Sequence, residues 1–470
     1  MKKINNIFSN NKIKLQKIIS ILLILVLAIS FSGCSPGGQK EKAPGKRVNL
    51  KIWRLFDSEE IMQPIINEFI QDRKDEYDLN IIYEEKEYSE YVEATTNALA
   101  AGQGPDIWMI RNDWVAREYD KLEPIPEKFL SIDRFKQIFP QIASNDLIID
   151  NKIYGIPWSI DTLALYYNPE IFRKVRNELE DAKALERGDN ILEDPPSNWE
   201  EFIRAVKLLT IKDGDKIQRA GVALGTANNV EQSIDILTLL MLQNHTQMIS
   251  DDKQTATFNL AIQKQSGEPV YAGTKALEFY KSFSDPGKKD TYTWNNSMPD
   301  SLTAFIEGKT AMMINYSYVQ KQIFERAPTF NYQIGPFPQI KDSPQAVDFG
   351  KYWVETVTNN RQNPEVAWDF INYVREKRLN NYLKATRRPA PNKIEDEDVP
   401  ITKERIDEKN RTFIFQLNTA QNWYKGKFPM KIDNVFTELI ENVTIRNQNP
   451  QSAIDAAANR STTWLRTEPY

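Results

Sequence analysis

The stretch that decides the fold begins with Val48-Asn-Leu-Lys-Ile52 and ends with Pro105-Asp-Ile-Trp-Met-Ile110. Apolar and polar residues alternate from 48 to 52, which predicts a strand. Residues 61–70 read IMQPIINEFI, with their apolar positions on one face of a helix. A second strand at 79–83 and a second helix at 91–101 come before the strand at 105–110. Strands separated by helices predict α/β layering.

Outward from this stretch, the same alternation continues along the chain. Apolar runs predict strands at 163–167, 221–224 and 310–315. Asn363-Pro364 predicts a helix start, with Asn as the N-cap and Pro in the first turn. The length of 470 residues exceeds what one hydrophobic core usually supports. We therefore expect an α/β chain with two lobes.

Two helix starts carry the spacing of a capping box. Asp57 and Glu60 stand three residues apart before the helix at 61–70, and Ser197 and Glu200 do the same in Pro196-Ser-Asn-Trp-Glu200. We expect Asp57 and Ser197 to cap their helices.

The N terminus has the pattern of a lipoprotein signal peptide over residues 1–33. Basic residues are followed by an apolar run from Ile18 to Phe31, which fits a signal-peptide core and is too short to span a bilayer. Cys34, the only cysteine, follows Ser32-Gly33 and resembles the lipidated cysteine of a bacterial lipobox, although Phe31 departs from that pattern. Residues 34–47 are predicted to be a flexible tether. A plain secretory signal or a single anchor helix remains the alternative.

The charge of the chain argues against nucleic acid as a partner. Without the lysines of residues 1–33, the chain has 55 basic and 65 acidic residues, a net charge of −10. Proteins that bind nucleic acid need a basic surface.

The sequence offers little catalytic chemistry. His245 is the only histidine, and its neighbours carry no nucleophile pattern, so we expect a surface or capping role. Histidine and cysteine metal sites are unavailable, and no phosphate-binding loop is present. We therefore predict no catalytic residue, no metal and no cofactor. A pair of carboxylates acting as a glycosidase remains an open alternative.

Aromatic residues recur where predicted strands end, which is where α/β sheets place ligands. Flat rings can stack on the C–H faces of sugars, while nearby carboxylates bind hydroxyl or ammonium groups. Core packing is the alternative for each ring. The predicted ligand-binding residues are Asp57, Trp108, Trp158, Asp161, Tyr316, Tyr352 and Trp353. Trp158 is expected to be the anchor, with a smaller role in stability than a core tryptophan.

An ordered set of motifs resembles the family 1 extracellular solute-binding proteins, the maltose-binding-protein-like group. The motifs run across nearly the whole chain after Cys34. They are Gly102-Gln-Gly-Pro-Asp-Ile-Trp108, Ile153-Tyr-Gly-Ile-Pro157, Leu165-Tyr-Tyr-Asn168, Pro196-Ser-Asn-Trp-Glu-Glu201, Phe305-Ile-Glu-Gly-Lys-Thr-Ala-Met-Met-Ile314, Gly335-Pro-Phe-Pro338, Asn363-Pro-Glu-Val-Ala-Trp-Asp-Phe370 and Gln448-Asn-Pro-Gln-Ser-Ala-Ile-Asp455.

The resemblance implies a periplasmic-binding-protein-like α/β fold with two discontinuous lobes and a multi-strand hinge. We place 48–157 and 315–345 in lobe 1, and 158–314 and 346–470 in lobe 2, with crossings near 156–160, 314–316 and 338–350.

The resemblance also implies a function and partners. By the resemblance, a lipid-anchored receptor on the outer face of the cytoplasmic membrane would bind a small polar ligand, expected to be a sugar or oligosaccharide, and deliver it to ABC permease subunits with a cytoplasmic ATPase. Peptides, polyamines and phosphate esters remain open as ligands. A lipid-anchored glycan hydrolase and a surface adhesin remain the alternatives to a receptor.

Overall fold

The computed structural model describes residues 45–214, 216–263, 267–359, 362–393 and 408–467. The expected signal peptide, Cys34 and the tether as far as residue 44 lie outside the described residues. The chain divides into two compact units, of which the smaller includes 45–47 and 73–78. The larger unit takes in 48–72 and the described residues from 79 onwards, and it contains the lobes and the cleft described below.

The described strands are numbered in chain order. They are β1 (Lys46–Leu55), β2 (Tyr77–Lys86), β3 (Ile107–Arg111), β4 (Leu122–Glu123), β5 (Ile148–Ile149), β6 (Lys152–Ile153), β7 (Asp161–Thr162), β8 (Ala164–Tyr167), β9 (Ile211–Asp213), β10 (Lys216–Val222), β11 (Ile262–Gln263), β12 (Pro269–Val270), β13 (Thr310–Asn315), β14 (Gln333–Gly335), β15 (Asp348–Lys351), β16 (Trp353–Thr358) and β17 (Ala420–Gln421). Strand β1 begins inside the expected tether, because Lys46 and Arg47 already belong to it.

The described α-helices are numbered in the same way. They are α1 (Glu59–Arg73), α2 (Tyr88–Ala100), α3 (Val115–Glu118), α4 (Ile132–Ile138), α5 (Gln141–Leu147), α6 (Pro169–Asp181), α7 (Trp199–Leu209), α8 (Ser233–Gln243), α9 (Ala272–Ser282), α10 (Ser301–Ile306), α11 (Val319–Arg326), α12 (Pro364–Tyr373), α13 (Leu379–Thr386), α14 (Arg411–Phe415), α15 (Pro429–Thr444) and α16 (Pro450–Arg466). Asn-Pro begins α6, α12 and α16, because proline suits the first turn, where its missing N–H is not needed.

The first lobe is built on a sheet in the order β2-β1-β3-β16-β4. Strands β1 and β3 are parallel, and β16 runs antiparallel to β3. Helix α1 buries Met62, Ile65, Ile66 and Phe69. The Phe69 ring meets Phe370 of α12 at 5.2 Å, which assigns α12 to the same lobe.

The second lobe is built on a sheet in the order β14-β8-β13-β10-β9. Alternate residues of β8 face two cores: Leu165 and Tyr167 join the larger one, and Ala164 and Tyr166 join the smaller one. Helices α7, α8, α9, α15 and α16 contribute to the larger core.

A small sheet in the order β17-β15-β7 lies where the chain passes between the lobes. Strand β7 leads into β8 of the second lobe, β15 leads into β16 of the first, and β17 precedes α15 of the second. This arrangement agrees with the expected discontinuous lobes and multi-strand hinge, and with crossings near 156–160 and 338–350.

The expected lobe boundaries need correction. Strand β14 pairs with β8 in the second sheet, so residues 315–345 do not belong to lobe 1. Strand β16 pairs with β3 in the first sheet, so 346–470 does not all belong to lobe 2. The crossing expected at 314–316 was wrong, because Val319 and Ile323 of α11 pack in the core of Tyr166 and keep the chain in the second lobe.

Candidate functional site

A cleft of about 600 Å³ is lined by residues of both lobes. The predicted ligand residues found along it are Asp57, Trp158, Asp161, Tyr316, Tyr352 and Trp353. Trp108 was expected to line the cleft, and this was wrong. Met109 and Arg111 of β3 line it, and side chains alternate along a strand, so Trp108 lies on the opposite face.

Three aromatic rings from the first lobe form one wall of the cleft. Phe56 and Tyr88 are 43% and 46% exposed, and their ring centroids lie 6.2 Å apart. The Trp353 ring meets Phe56 edge-on at 5.4 Å and Tyr88 at 6.1 Å. Trp114 supports Trp353 from behind at 5.5 Å and is buried. Trp353 is half-buried, and the exposed rings of Phe56 and Tyr88 can stack against a flat ligand.

Two tyrosines come from the second lobe. The rings of Tyr316 and Tyr318 stack with their centroids 6.3 Å apart. Tyr316 is buried and its hydroxyl donates to Asp235 at 2.9 Å, whereas Tyr318 is exposed and its hydroxyl accepts from Gln232 at 2.7 Å. Tyr318 therefore offers more surface to a ligand than Tyr316 does.

Tyr352 and Trp158 line the cleft from more buried positions. The Tyr352 hydroxyl donates to Asp146 at 2.7 Å, and burial raises the pKa of Asp146 to about 6. Trp158 is only 2% exposed. The guanidinium carbon of Arg54 lies 4.3 Å from the centre of its ring, and the Tyr382 ring lies 5.3 Å away.

A buried ion cluster lies beneath the first-lobe wall. Arg54 pairs with Asp57 at 2.6 Å and with Glu355. Arg388 approaches the other oxygen of Asp57 at 3.0 Å, and the Tyr382 hydroxyl donates to Asp57 at 2.9 Å. Burial favours a higher pKa for Asp57, but Arg388 and Arg54 outweigh it and hold this pKa below its ordinary value. Burial raises the pKa of Glu355 to about 7, against the attraction of Arg54.

Asp161 lies at the hinge, in β7. Its carboxylate accepts from the backbone N–H of Ser317 at 2.9 Å and from the Ser317 hydroxyl at 2.6 Å. Burial raises its pKa to about 6, and the Ser317 hydrogen bonds limit the rise. Asp161 thus ties the hinge to the end of β13.

A second ion network joins the two lobes. Arg111 of β3 binds Asp113 at 2.7 Å and Asp433 of α15 at 3.0 Å. Lys425 binds Asp433 at 2.6 Å. Burial opposes the charge on Asp433, but Lys425 and Arg111 outweigh it and hold its pKa well below the usual range. Because Arg111 also lines the cleft, the network connects the cleft to the contact between the lobes.

Sequence reasoning missed Phe56, Tyr88, Glu355 and Arg388 as residues of the cleft. No local motif marks them, and they meet only because β1, α2, β16 and the end of α13 converge. For Tyr318 the one local signal was its place two residues after Tyr316, which directly follows β13.

The described residues offer no other site with catalytic or metal-binding chemistry. They contain no group of three His, Cys, Asp or Glu side chains placed to hold a metal ion. His245 is exposed after α8, where a φ of 58° and a hydrogen bond from its N–H to Leu242 close the helix end. The expected surface or capping role is confirmed. Within the same residues, no helix has the length and apolar character needed to cross a membrane.

Two α/β lobes, a hinge of short strands and a cleft lined from both sides define the class of two-lobed ligand-binding proteins. The family model described as bacterial extracellular solute-binding protein matches residues 66–405. The chain belongs to this family, which confirms the resemblance seen in its motifs.

Two individual relatives share less than a quarter of their aligned residues with this chain. A binding protein of Brucella abortus (strain 2308) is 24% identical over 289 residues, and the match spans 60% of this chain and 61% of that relative's length. The maltodextrin-binding protein MdxE of Bacillus subtilis (strain 168) is 22% identical over 379 residues, 76% of each chain.

Solved structures share the fold at low identity. The cyclic α-maltosyl-1,6-maltose binding protein from Arthrobacter globiformis has a TM-score of 0.70 and 17% identity, covering 89% of this chain and 99% of that chain. The sugar-binding protein MalE from Xanthomonas citri has a TM-score of 0.68 and 17% identity, covering 89% and 97%.

Proposed function

We propose that this protein is a lipid-anchored receptor that binds a sugar or oligosaccharide in its cleft and delivers it to an ABC importer. Family membership supports solute binding over a hydrolase or an adhesin, because the family consists of binding proteins. The importer partners, permease subunits with a cytoplasmic ATPase, follow from the family resemblance. The lipid anchor at Cys34 and the place on the outer face of the cytoplasmic membrane rest on the sequence of residues 1–34.

The observation that carries the sugar proposal is the aromatic wall of a cleft whose buried charged groups are bound by opposite charges or, at Asp161, by hydrogen bonds from Ser317. Asp57 is paired with Arg54 and Arg388, Glu355 contacts Arg54, and Lys351 is paired with Asp235 at 2.8 Å. A peptide or polyamine would need uncompensated charge to replace its lost hydration. A neutral ligand with apolar faces and hydroxyls needs rings and hydrogen-bonding groups instead.

The relatives point in the same direction. The names of the Bacillus subtilis, Arthrobacter globiformis and Xanthomonas citri proteins specify maltodextrin, a cyclic maltosyl-maltose and sugar. We therefore favour a short glucan as the first ligand to test.

Isothermal titration calorimetry of the full-length chain with maltotetraose, mannotriose, a neutral tripeptide and spermidine tests the proposal. We expect a sugar to bind and Trp353→Ala to weaken that binding by about tenfold or more, since stacking is worth about 0.5–1.5 kcal/mol beyond area burial and 1.4 kcal/mol is tenfold. Tyr271→Ala is the matched control, because Tyr271 is an exposed ring outside the cleft.

Binding of the peptide or spermidine with no sugar binding would contradict the proposal. Release of new reducing ends from maltotetraose would favour the hydrolase instead.

A further inference from the structure

The backbone of Phe56 is strained. Phe56 directly follows β1 and has a φ of 69°. In this left-handed region the Cβ atom crowds the following carbonyl, so glycine or asparagine is the usual occupant and a bulky residue is an outlier. Such strain persists where the surrounding structure imposes it, and it clusters at ligand sites.

Both chain neighbours of Phe56 are held by the fold. Leu55 is the last residue of β1 and is fully buried. The Asp57 carboxylate is bound by Arg54 at 2.6 Å and by Arg388 at 3.0 Å, and its backbone carbonyl accepts from the Tyr83 hydroxyl. The chain has to connect these two fixed points through Phe56.

Packing of the Phe56 side chain does not offset the strain in its backbone. The ring is 43% exposed and lines the cleft. Its aromatic neighbours are Tyr88 at 6.2 Å, inclined by 28°, and Trp353 at 5.4 Å, inclined by 67°. An exposed apolar ring on a strained backbone contributes little to the stability of the fold. The position of the ring on the cleft wall points to a role in ligand binding.

We propose that Phe56 is a ligand-stacking residue whose ring packs on the C–H face of a pyranose. Asp57, held by Arg54 and Arg388, keeps the backbone of Phe56 in the left-handed conformation. The inference rests on the proposed sugar-binding function and adds a specificity-determining residue to it. Asp57 is then a positioning residue, since its two carboxylate oxygens already bind Arg54, Tyr382 and Arg388.

The test is Phe56→Gly in the full-length chain. Glycine adopts a positive φ without strain, so this change removes the ring and relieves the backbone. We expect the affinity for the bound sugar to fall by about tenfold or more, while the urea midpoint stays the same or rises. Phe56→Tyr keeps the ring and should bind close to wild type.

Lys183→Gly is the matched control. Lys183 is exposed, has a φ of 53° and lies outside the cleft, so the change relieves similar strain and should leave the affinity unchanged.

The outcomes separate this inference from the proposed function. If wild type binds no sugar, the proposed function fails. If wild type binds sugar and Phe56→Gly binds equally well, only the stacking role is overturned. A lower urea midpoint for Phe56→Gly would show that the ring serves folding and would also overturn it.

The supporting role of Asp57 is tested by a double-mutant cycle. Asp57→Asn should weaken sugar binding in the wild-type background and have little effect in the Phe56→Gly background, because there is no ring left to position. Equal losses in both backgrounds would overturn the positioning role. If Asp57→Asn does not fold, Arg388→Gln takes its place in the cycle.

Discussion

At the scale of single residues, Trp158 lines the cleft and still belongs to the core. Its indole packs against Arg54 and Tyr382 and is only 2% exposed. We therefore expect Trp158→Ala to lower the free energy of unfolding by about 3–5 kcal/mol, as for a core tryptophan, and not by the smaller amount that the sequence led us to expect. Urea denaturation measures this, with Tyr271→Ala as the exposed control. A loss below about 1 kcal/mol would restore Trp158 as mainly a ligand anchor.

Glu355 should make stability depend on pH. Burial raises its pKa from the ordinary 4.5 to about 7, against Arg54 and Arg388 and with help from Asp57. Because the native state then holds this proton more tightly than the unfolded chain, the contribution to stability is complete below about pH 4.5 and is lost as the pH rises through about 7.

Glu355→Gln cannot titrate, so it isolates this effect from other buried carboxyls. From about pH 4.5 to about pH 7 wild type should lose more unfolding free energy than the variant, measured by urea denaturation at several pH values. Glu438→Gln, at an exposed ion pair, should change in parallel with wild type. Parallel curves for wild type and Glu355→Gln would contradict the raised pKa.

At the scale of elements, apolar patterns located β1, β2, β3, β8, β10 and β13, whereas the shorter strands and the details of helix caps were harder to predict. Strand β13 matches its predicted bounds, and β1 and β2 extend beyond theirs. The capping-box expectation was wrong at both helix starts. Asp57 is drawn into the ion cluster and so does not cap α1, and Asn198, one residue after Ser197, accepts from the first N–H groups of α7. The Asp57 carboxylate binds Arg388 and Tyr382, which are distant in sequence, as well as Arg54, and these contacts take the place of the predicted helix cap.

The candidate site was predictable only in part, because contacts between residues distant in sequence also decide which side chains line the cleft. Residues that follow β13 and β15 carry a local signal, and the cleft contains Tyr316 and Trp353 as expected. The face on which Trp108 lies depends on strand register, which the sequence does not specify. The position of Phe56 depends on a backbone conformation that its residue type disfavours, so no propensity could have predicted it.

At the scale of the whole molecule, the family resemblance predicted discontinuous lobes, and strand pairing then decided the boundaries. The segment 315–345 stays in the second lobe because β14 completes its sheet beside β8. A short edge strand of three residues has little pattern of its own, so its sheet could not be chosen from the sequence. Contact between the lobes also involves residues far apart in the chain, as Arg111 and Asp433 show.

The pair of Arg111 and Asp433 should bias the lobes toward closure. Arg111 lies on the first sheet and Asp433 on a helix of the second lobe, so separating the lobes here would break a largely buried charge pair. We expect Asp433→Asn to increase the radius of gyration in small-angle X-ray scattering and to weaken ligand binding. The contact stabilises the closed state and is absent from the open state, so its loss shifts the equilibrium toward the open state.

Glu438→Gln is the matched control, because Glu438 lies on the same helix and pairs with Arg460 inside the second lobe. It should leave both the radius and the affinity unchanged. If Asp433→Asn binds ligand as wild type does and scatters identically, the pair is a static part of the hinge. A change in both variants would instead point to an effect on helix α15 itself. Only an effect confined to Asp433→Asn supports a contact that favours closure.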